Sequence, residues 1–352
     1  MMADRIRPKK LQPGDKVAAI SMSWGGPATF PHRYEAGKRQ LEEVLGVTVV
    51  ETPHALHPAD WLERNPRARA DDLMEALTDA SIKAIIATIG GDDSIRLLPY
   101  VDLEVIRSNP KIVMGYSDTT VTHMACLAAG VGSFYGPAIM AGFGENGGLF
   151  PYMVDSVRRT LCSSAPIGTI EPNRRGWTVE FIDWAEPENQ TRRRTLNPAR
   201  GWTYLQGRGI GRGHLIGGCL EVLDWLRGTE VWPSLEVWKD AILFFETSEE
   251  APTPTRVLRI LRAFAAMGIL RRLSGILVGR PGGQVPPEEF KDYDEIILQV
   301  VAEEEGLSGL RVITGADFGH TDPMFVLPYG AEAEIDCERE RFAILEGAVE
   351  DS

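Results

Sequence analysis

One strand-to-helix corner of the chain carries a serine, in the segment KIVMGYSDTTVTHMACLAAG (111–130). Ser117 lies at the turn, two residues after Gly115. A G-x-S-x-G elbow presents a nucleophilic serine at such a corner, although the fifth position here is Thr119. The alternative is structural, because Ser117, Asp118 and Thr119 are all favoured N-cap types and could simply open the helix. The corner therefore predicts either an acyl-transfer nucleophile or a helix cap.

A nucleophilic serine needs a base within hydrogen-bond reach, and that base needs an orienting group on its other nitrogen. Of the six histidines, His320 has the best setting, between Gly319 and the turn 321–323 at the end of a strand-like run. Rigid strand ends suit catalytic side chains, and a structural hydrogen bond in the turn is the alternative. His32 and His214 stay open as other candidates. The remaining histidines are predicted to lie at the surface or to point away from the corner: His54, His57 and His123.

The orienting acid is predicted from the stretch AILFFETSEE (241–250). Glu246 follows five largely apolar residues, so it should emerge at the end of a buried strand. Burying a carboxylate is costly unless the group is paired or hydrogen-bonded, and an imidazole is the obvious partner. Glu249 and Glu250 are predicted to be solvated or capping residues.

The first half of the chain alternates apolar strands with amphipathic helices, which is typical of a parallel sheet covered on both faces. In such sheets ligands collect beyond the carboxyl ends of the strands, where two glycine-rich turns fall, at 90–93 and 115–118. For the turn at 90–93, the alternative is a tight turn that binds no ligand. Strands are predicted at 16–21, 47–52, 82–90 and 112–115, with helices at 34–45, 68–79, 103–108 and after the serine.

The pattern breaks down between residues 166 and 212, in a charged segment rich in proline and asparagine. Long loops in compact proteins are usually functional or disordered, and disordered segments are poor in aromatic residues. We therefore expect an ordered or ligand-ordered loop, since the segment contains Trp177, Trp184 and Trp202. Simple anchoring of the loop to the protein body is the alternative for each tryptophan.

The second half predicts a separate mixed α/β domain. We expect a glycine-rich turn leading into a helix over 213–226, and a tail that alternates polar and apolar residues, as an exposed antiparallel sheet would. Between them, strands are predicted at 241–246 and 273–281, helices at 254–270 and near 293–305, and a strand-like run at 311–319.

Composition limits the classes of function. The chain has 352 residues, 43% of them hydrophobic, enough for two domains or one large one. The net charge of −13 argues against nucleic acid as the main partner, since phosphate binding needs concentrated lysine and arginine. We expect neither a signal peptide nor a membrane span, because no apolar run is long enough. A zinc site or disulfide framework is not indicated, and a reducing cytoplasm is the simplest setting for the scattered Cys126, Cys162, Cys219 and Cys337.

Three motifs occur in the order GYSDTT, LFFETSEEAPTP and DFGHTDPM, and they contain Ser117, Glu246 and His320. With them the chain resembles the LD-carboxypeptidase family of serine peptidases. The likeness spans nearly the whole chain, from KKLQPGDKVAAIS to GILVGRP. The form FFETSEE and the tryptophan-bearing loop before GHLIGG look most like the microcin C immunity peptidase branch of that family.

The resemblance implies an α/β fold, with a flavodoxin-like parallel-sheet N-terminal domain plus a smaller mixed α/β C-terminal domain. We expect the first domain at 1–168, a substrate-binding loop or linker at 169–206, and the second domain at 207–352. The second domain would carry the acid and the histidine. The resemblance also implies a homodimer.

The resemblance implies a serine carboxypeptidase or amidase reaction that needs no metal and no organic cofactor. It implies Ser117 as the nucleophile, Glu246 as the orienting acid and His320 as the base. It implies that the backbone amides of Gly91 and Asp118 form the oxyanion hole.

The resemblance to the immunity branch implies that an aromatic side chain of the loop stacks on the adenine of an aminoacyl- or peptidyl-nucleotide. Trp184 is the candidate, with Trp202 as the second, and Asp92 is a further expected substrate contact. Base–aromatic stacking is worth about 1–3 kcal/mol, which is enough to select nucleotide conjugates.

Two alternatives to a nucleotide substrate stay open. The first is trimming of the terminal D-amino acid from a murein tetrapeptide across an LD bond. That substrate has a free carboxylate, which a cation must hold. The candidate cations are Arg192, Arg193, Arg194 and Arg280. The second alternative is a catalytically silent binding protein, which an intact triad disfavours.

Overall fold

The computed structural model describes residues 5–351 of the chain. This part contains two β-sheets with helices around them. Within that part fourteen strands follow in chain order: β1 (Lys16–Ile20), β2 (Thr48–Glu51), β3 (Ile82–Ala87), β4 (Ile112–Gly115), β5 (Phe134–Tyr135), β6 (Gly168–Thr169), β7 (Thr203–Gln206), β8 (Ile210–Cys219), β9 (Ile242–Glu246), β10 (Gly275–Gly279), β11 (Arg311–Ala316), β12 (Leu327–Pro328), β13 (Glu332–Asp336) and β14 (Arg341–Ile344).

The same part of the chain contains ten α-helices, several of which begin at a proline in the first turn, where its missing N–H costs nothing. They are α1 (Gly26–Thr29), α2 (Pro31–Leu45), α3 (Ala59–Arg64), α4 (Pro66–Thr78), α5 (Leu103–Ser108), α6 (Thr120–Ala128), α7 (Pro151–Leu161), α8 (Leu220–Leu226), α9 (Pro254–Ala266) and α10 (Phe290–Leu298).

The first sheet has the strand order β12-β5-β4-β3-β1-β2. Its strands β1 to β5 are all parallel, and their order 2-1-3-4-5 is that of flavodoxin-like folds. The apolar residues of β3 and β4 are buried, as is typical of a parallel sheet covered on both faces. The predicted flavodoxin-like N-terminal sheet is confirmed.

The second sheet has the order β6-β14-β13-β8-β9-β10-β11-β7. Its central strands β8 to β11 are parallel, and antiparallel strands flank them, so the predicted mixed α/β second domain is confirmed. Strand β12 leaves this half of the chain and pairs antiparallel with β5 of the first sheet. One apolar core extends through both sheets.

The expected glycine-rich turn at 213–219 is wrong, because these residues belong to the ten-residue strand β8. Glycine is needed here for close packing within a sheet. A Cβ added at Gly217 would lie 2.8 Å from Cγ of Phe244 on the neighbouring strand. The helix predicted after this segment is present as α8.

The C-terminal tail forms the predicted antiparallel strands, but the expectation that they are exposed is wrong. Even the polar residues Glu334 and Asp336 are only 2% exposed. Glu334 is compensated by Arg212, whose Nε donates to Oε2 at 2.7 Å, and by Arg341. Ion pairing thus allows an alternating strand to be buried on both faces.

The segment between β6 and β7 contains no α-helix or strand, as the break in pattern predicts, and only a short 3₁₀ turn at Pro187–Thr191. It is tied to the second domain by an isolated antiparallel bridge between Thr178 and Asp322. It is tied to the first domain through Gln190, whose carbonyl accepts from the amide of Gly147 at 2.8 Å. The loop therefore spans both halves of the molecule.

Candidate active site

The backbone at Ser117 is strained, with a φ of +59° that few residues other than glycine adopt. A 3₁₀ turn, Ser117–Thr119, joins β4 to α6. No side-chain hydrogen bond caps either this turn or α6, so the helix-cap alternative does not account for the serine. Strain of this kind persists where the surroundings enforce it, and it is concentrated at functional sites. The side chain is 7% exposed.

Glu246 and His320 form a close pair, although they are far apart in the chain. Glu246 is the last residue of β9 and is fully buried. His320 donates from Nδ1 to its Oε2 at 2.7 Å, and the His320 backbone amide reaches the same oxygen at 3.2 Å. Gly319 makes this approach possible, because a Cβ there would lie 2.6 Å from Cδ of Glu246. A buried acid thus fixes the orientation of the imidazole.

Tyr135, a residue that the sequence did not single out, joins this pair to the serine. Its hydroxyl donates to Glu246 Oε1 at 2.5 Å and accepts from the backbone amide of Ser117 at 3.1 Å. Burial and the neighbouring Glu246 carboxylate raise the pKa of Tyr135 well above its usual value, so the group stays a neutral donor. The only sequence signal is its place in SFYGP, at the carboxyl end of the strand beside β4.

Glu249 is not merely solvated, as the sequence suggested, since its Oε2 lies 2.8 Å from Nε2 of His320. Its side chain is 71% exposed at the edge of the cleft. The hydrogen bond to His320 lowers the pKa of Glu249 to about 2. Burial alone lowers the pKa of His320, but the carboxylates of Glu246 and Glu249 outweigh this effect and raise it well above 6.5.

The turn after β3 lies against the serine. A Cβ added at Gly90 would be 3.0 Å from Cβ and 3.1 Å from Oγ of Ser117. The next residue, Gly91, has a φ of +150°, and Asp92 is exposed; all three line the same cleft as the serine. Asp118 is fully buried, and its Oδ2 accepts from the amide of Ser94 at 2.9 Å. Burial raises the pKa of Asp118.

The cleft in front of Ser117 has a volume of about 710 Å³. Residues of the long loop form one wall: Val179, Glu180, Phe181, Ile182, Trp184 and Arg194. Trp184 is partly buried and packs edge-on against Phe30 at 5.9 Å, while Cζ of Arg33 lies 4.4 Å from its ring centroid. Phe181, at 63% exposure, stands beside it at 6.0 Å.

Both arginines that line the cleft are already engaged. Arg194 pairs with Asp322 at 2.7 Å and with the buried Glu145. Arg33 donates from Nε to the carbonyl of Met140 at 2.9 Å, besides its contact with the indole. Burial lowers the pKa of Arg33 to about 10. The carboxylate partners of Arg194 raise the pKa of Arg194 in spite of its burial.

Both halves of the chain resemble domains of known proteins. Residues 17–136 match the LD-carboxypeptidase N-terminal domain, and residues 212–335 match the LD-carboxypeptidase C-terminal domain. The chain belongs to the LD-carboxypeptidase family. The predicted resemblance is confirmed, and the assignment to carboxypeptidase-type hydrolases holds at the level of the family.

Two curated relatives from this family match almost end to end. The microcin C7 self-immunity protein MccF of Escherichia coli is 29% identical over 345 residues, which cover 96% of this chain and 94% of that protein. A Bacillus subtilis protein named as a probable murein peptide carboxypeptidase is 28% identical over 347 residues, covering 97% and 95%. The chain is thus similar to both the immunity and the murein branches.

Solved structures of family members superpose closely on the chain. An MccF-like protein of Streptococcus pneumoniae in complex with AMP has a TM-score of 0.84 at 28% identity, covering 94% of this chain and 98% of that one. MccF in complex with aspartyl sulfamoyl adenosine has a TM-score of 0.81 at 27% identity, covering 98% and 100%. The two-domain architecture is therefore shared with proteins that bind nucleotides and nucleotide conjugates.

Trp202 does not line the cleft of this family member. Its Nε1 donates to Asp317 at 2.7 Å, and its ring packs at 5.6 Å from Phe325 and 6.3 Å from Phe342. These contacts fix the indole to the second domain, so the expected substrate contact gives way to an anchoring role. Trp177 is likewise buried, at 2% exposure, as the anchoring alternative predicted.

The other candidate cations are also away from the cleft. Arg280 is 3% exposed and pairs with the fully buried Asp317 at 2.6 Å, beside a separate cavity of about 230 Å³. Arg192 and Arg193 are exposed and do not line the cleft. Of the four arginines considered for a carboxylate, only Arg194 lines it.

Three of the other histidines make structural hydrogen bonds through their side chains. His32 and His214 both donate at 2.7 Å to carbonyl oxygens, those of Trp184 and Val237, so neither competes as the base. His123 is fully buried, and its Nε2 reaches the carbonyl of Gly115 at 2.9 Å.

No group of three or more histidine, cysteine, aspartate or glutamate side chains in residues 5–351 could hold a metal ion. In the same range, no helix has the length and apolar character needed to cross a bilayer. The four cysteines are free thiols.

Proposed function

We propose that the chain is a serine hydrolase with a Ser117–Glu246–His320 triad that cleaves the acyl bond of aminoacyl- or peptidyl-nucleotide conjugates. The observation that carries the proposal is the buried Glu246–His320 pair, linked through Tyr135 to a strained serine in one cleft. A base oriented by an acid beside a serine hydroxyl is the arrangement that activates serine for acyl transfer.

The mechanism begins when His320 Nε2 takes the proton of Ser117 as Oγ attacks the carbonyl carbon. The resulting oxyanion would be stabilised by the backbone N–H groups of Gly91 and Asp118, and such donors typically contribute about 10²–10³ in rate. His320 then protonates the leaving nitrogen. Water, deprotonated by the same nitrogen, hydrolyses the acyl-enzyme and restores the serine.

A nucleotide substrate is supported by the aromatic wall of the cleft. Trp184 lies there with Phe181, and Arg33 backs the indole. A base would stack on the part of the indole that these neighbours leave free, and Asp92, which also lines the cleft, would be a further substrate contact. Relatives of known structure are in complex with AMP, aspartyl sulfamoyl adenosine and glutamyl sulfamoyl guanosine.

The alternative is removal of a terminal D-amino acid from a murein tetrapeptide, which the Bacillus subtilis relative favours. That reaction needs a cation for the free carboxylate of the peptide. Arg194 is the candidate within the cleft, but its charge is already balanced by Glu145 and Asp322. The lack of an uncommitted arginine among the described cleft residues therefore favours the nucleotide substrate.

Side-by-side hydrolysis of alanyl-sulfamoyl-adenosine and a murein LD-tetrapeptide tests the choice of substrate. We expect release of sulfamoyl adenosine, with a kcat/KM at least about tenfold higher than that for the tetrapeptide. Faster cleavage of the tetrapeptide would favour the murein alternative, and no cleavage of either would support a silent binding protein.

We propose further that residues 1–168, 169–206 and 207–352 are the two domains and their connecting loop, and that the protein is a cytoplasmic homodimer. Light scattering should give twice the chain mass of 38.8 kDa. Cell fractionation should recover the protein with cytoplasmic markers. A mass of one chain, or recovery with membranes, would contradict these proposals.

A further inference from the structure

Both ring nitrogens of His320 face carboxylates. Nδ1 lies 2.7 Å from Glu246 Oε2, and Nε2 lies 2.8 Å from Glu249 Oε2. An ionised carboxylate only accepts hydrogen bonds, so both nitrogens must carry a proton. In this state His320 is an imidazolium and has no lone pair with which to take the proton of Ser117.

Glu249 must therefore leave Nε2 before the reaction can begin. Its side chain is 71% exposed and reaches the imidazole from the turn that follows β9, so it can swing away without disturbing the core. Glu246 is fully buried and held by Tyr135, so it stays in place. The two carboxylates thus differ in mobility, and the mobile one blocks the catalytic nitrogen.

The charged groups beside His320 that could bind a substrate are carboxylates. Glu250 also lines the cleft, and its nearest cation is Arg256, at 3.9 Å. The cleft arginines, Arg33 and Arg194, are engaged by other groups, as described above. A substrate group that displaces Glu249 from the imidazole should therefore be a cation.

The α-ammonium of an aminoacyl substrate is placed to do this. In the acyl chain the α-carbon is bonded to the carbonyl carbon that Ser117 attacks, so its amino group is two bonds from the reacting atom. His320 Nε2 must approach Ser117 Oγ to about 3 Å for proton transfer. A carboxylate that contacts Nε2 is therefore within reach of the α-ammonium.

We propose that Glu249 binds the free α-ammonium of the aminoacyl group and that this exchange of partners frees His320 Nε2 for catalysis. The inference rests on the proposed function and narrows its substrate to conjugates with a free amine next to the scissile carbonyl. When the ammonium replaces the imidazolium beside Glu249, His320 releases one proton to solvent and becomes neutral. An N-acylated or peptidyl group lacks this cation and leaves the imidazolium in place.

Binding to the inactive Ser117→Ala variant tests the recognition step by calorimetry. The probes are alanyl-sulfamoyl-adenosine and propionyl-sulfamoyl-adenosine, which differ only by the amine. We expect the alanyl compound to bind about ten- to a hundredfold more tightly, as a charge-assisted hydrogen bond provides. Adding Glu249→Gln should remove this preference, whereas adding Glu230→Gln, at an exposed site outside the cleft, should retain it.

The titration of His320 tests the release step independently. The groups that face the imidazole are Glu246, Glu249 and the ring of Tyr116, at 4.9 Å, with the ion pair of Asp322 and Arg194 nearby. Imidazole NMR signals should give a lower pKa in Glu249→Gln than in the wild type. Alanyl-sulfamoyl-adenosine should lower it in the Ser117→Ala variant, and the propionyl compound should not.

The results of these experiments distinguish a failure of the role of Glu249 from a failure of the proposed function. Equal affinities for the two probes, or a His320 pKa unchanged by Glu249→Gln, would overturn the role of Glu249 while leaving a nucleotide substrate intact. Failure of both probes to bind would overturn the proposed substrate class and the inference with it.

Discussion

At the residue scale, one hydrogen-bonded path connects the proposed nucleophile to the proposed base. It runs from the backbone amide of Ser117 to the hydroxyl of Tyr135, on to Glu246, and from there to Nδ1 of His320. Each group is buried or nearly so, so each bond is strengthened by the low local dielectric and costly to break. The path couples the strained serine turn to the second domain.

Replacing Tyr135 by phenylalanine removes the central link of this path. We expect kcat to fall about tenfold and the protein to be destabilised by about 1–3 kcal/mol, because the Ser117 amide and a Glu246 oxygen lose their partner. Steady-state kinetics and thermal denaturation measure the two effects. Tyr100→Phe, at a position 43% exposed, is the matched control and should change neither. An unaltered kcat in Tyr135→Phe would show that the path does not matter for catalysis.

The pH dependence of kcat/KM follows from His320. Because Glu246 and Glu249 raise its pKa well above 6.5 in the free protein, and because the base must be neutral, kcat/KM should rise with pH through that raised pKa. The midpoint of the acidic limb should lie above pH 6.5 and move to lower pH in Glu249→Gln. A limb centred at or below pH 6.5 in the wild type would contradict the paired imidazolium.

Trp184→Ala tests the stacking of a nucleobase. We expect KM for alanyl-sulfamoyl-adenosine to rise by roughly ten- to a hundredfold, equivalent to about 1.4–2.7 kcal/mol, with no change for a peptide that lacks a base. Trp202→Ala is the comparison variant. The indole of Trp202 packs on the second domain, so its removal should mainly lower thermal stability. If Trp184→Ala lowered the melting temperature and impaired both substrates equally, Trp184 would be an anchor instead.

At the element scale, the strands that carry the site were predictable and some of their surroundings were not. Runs such as IVMG and ILFFE are buried on both faces, and this is why their apolar patterns identify them. Strand β8 was missed because its glycines resemble a turn locally, although close packing on β9 requires them. Burial of the tail depends on ion pairs to distant residues, such as Glu334 with Arg212, which no local pattern contains.

Among the site residues, too, the sequence does not reveal roles that depend on contacts with distant parts of the chain. Ser117, Glu246 and His320 were predicted because each ends a recognisable strand or turn. The roles of Tyr135 and Glu249 are set by hydrogen bonds to groups far along the chain, so their own sequence neighbourhoods do not reveal them. Exposure of Glu249 could be predicted from its charge, but its contact with the imidazole could not.

The loop 173–205 is predicted to act as a lid. It contributes Phe181 and Trp184 to the cleft and is held by few backbone bonds, such as those between Thr178 and Asp322. Lids are often ordered by ligand, so limited proteolysis within 173–205 should slow when alanyl-sulfamoyl-adenosine binds the Ser117→Ala variant. Equal cleavage with and without ligand would argue against closure of a lid.

At the scale of the whole molecule, the site is assembled from both sheets. The serine turn follows β4 of the first sheet, whereas Glu246 ends β9 and His320 follows β11 of the second. Parallel strands place their carboxyl ends at one edge, which is where each sheet supplies these residues. Neither half of the chain contains all three residues of the proposed triad, so the proposed chemistry depends on how the two domains pack.

The proposed role of Ser117 is tested by measuring the release of sulfamoyl adenosine from alanyl-sulfamoyl-adenosine by the wild-type protein and by Ser117→Ala. We expect turnover by the wild type and a loss of at least about a thousandfold in kcat for Ser117→Ala, as for other triad nucleophiles. His320→Ala should be equally severe, and Glu246→Ala should retain some activity because it only orients the base. Ser308→Ala, at an exposed site outside the cleft, should match the wild type. Wild-type rates in a folded Ser117→Ala variant would contradict the assignment of Ser117 as the nucleophile.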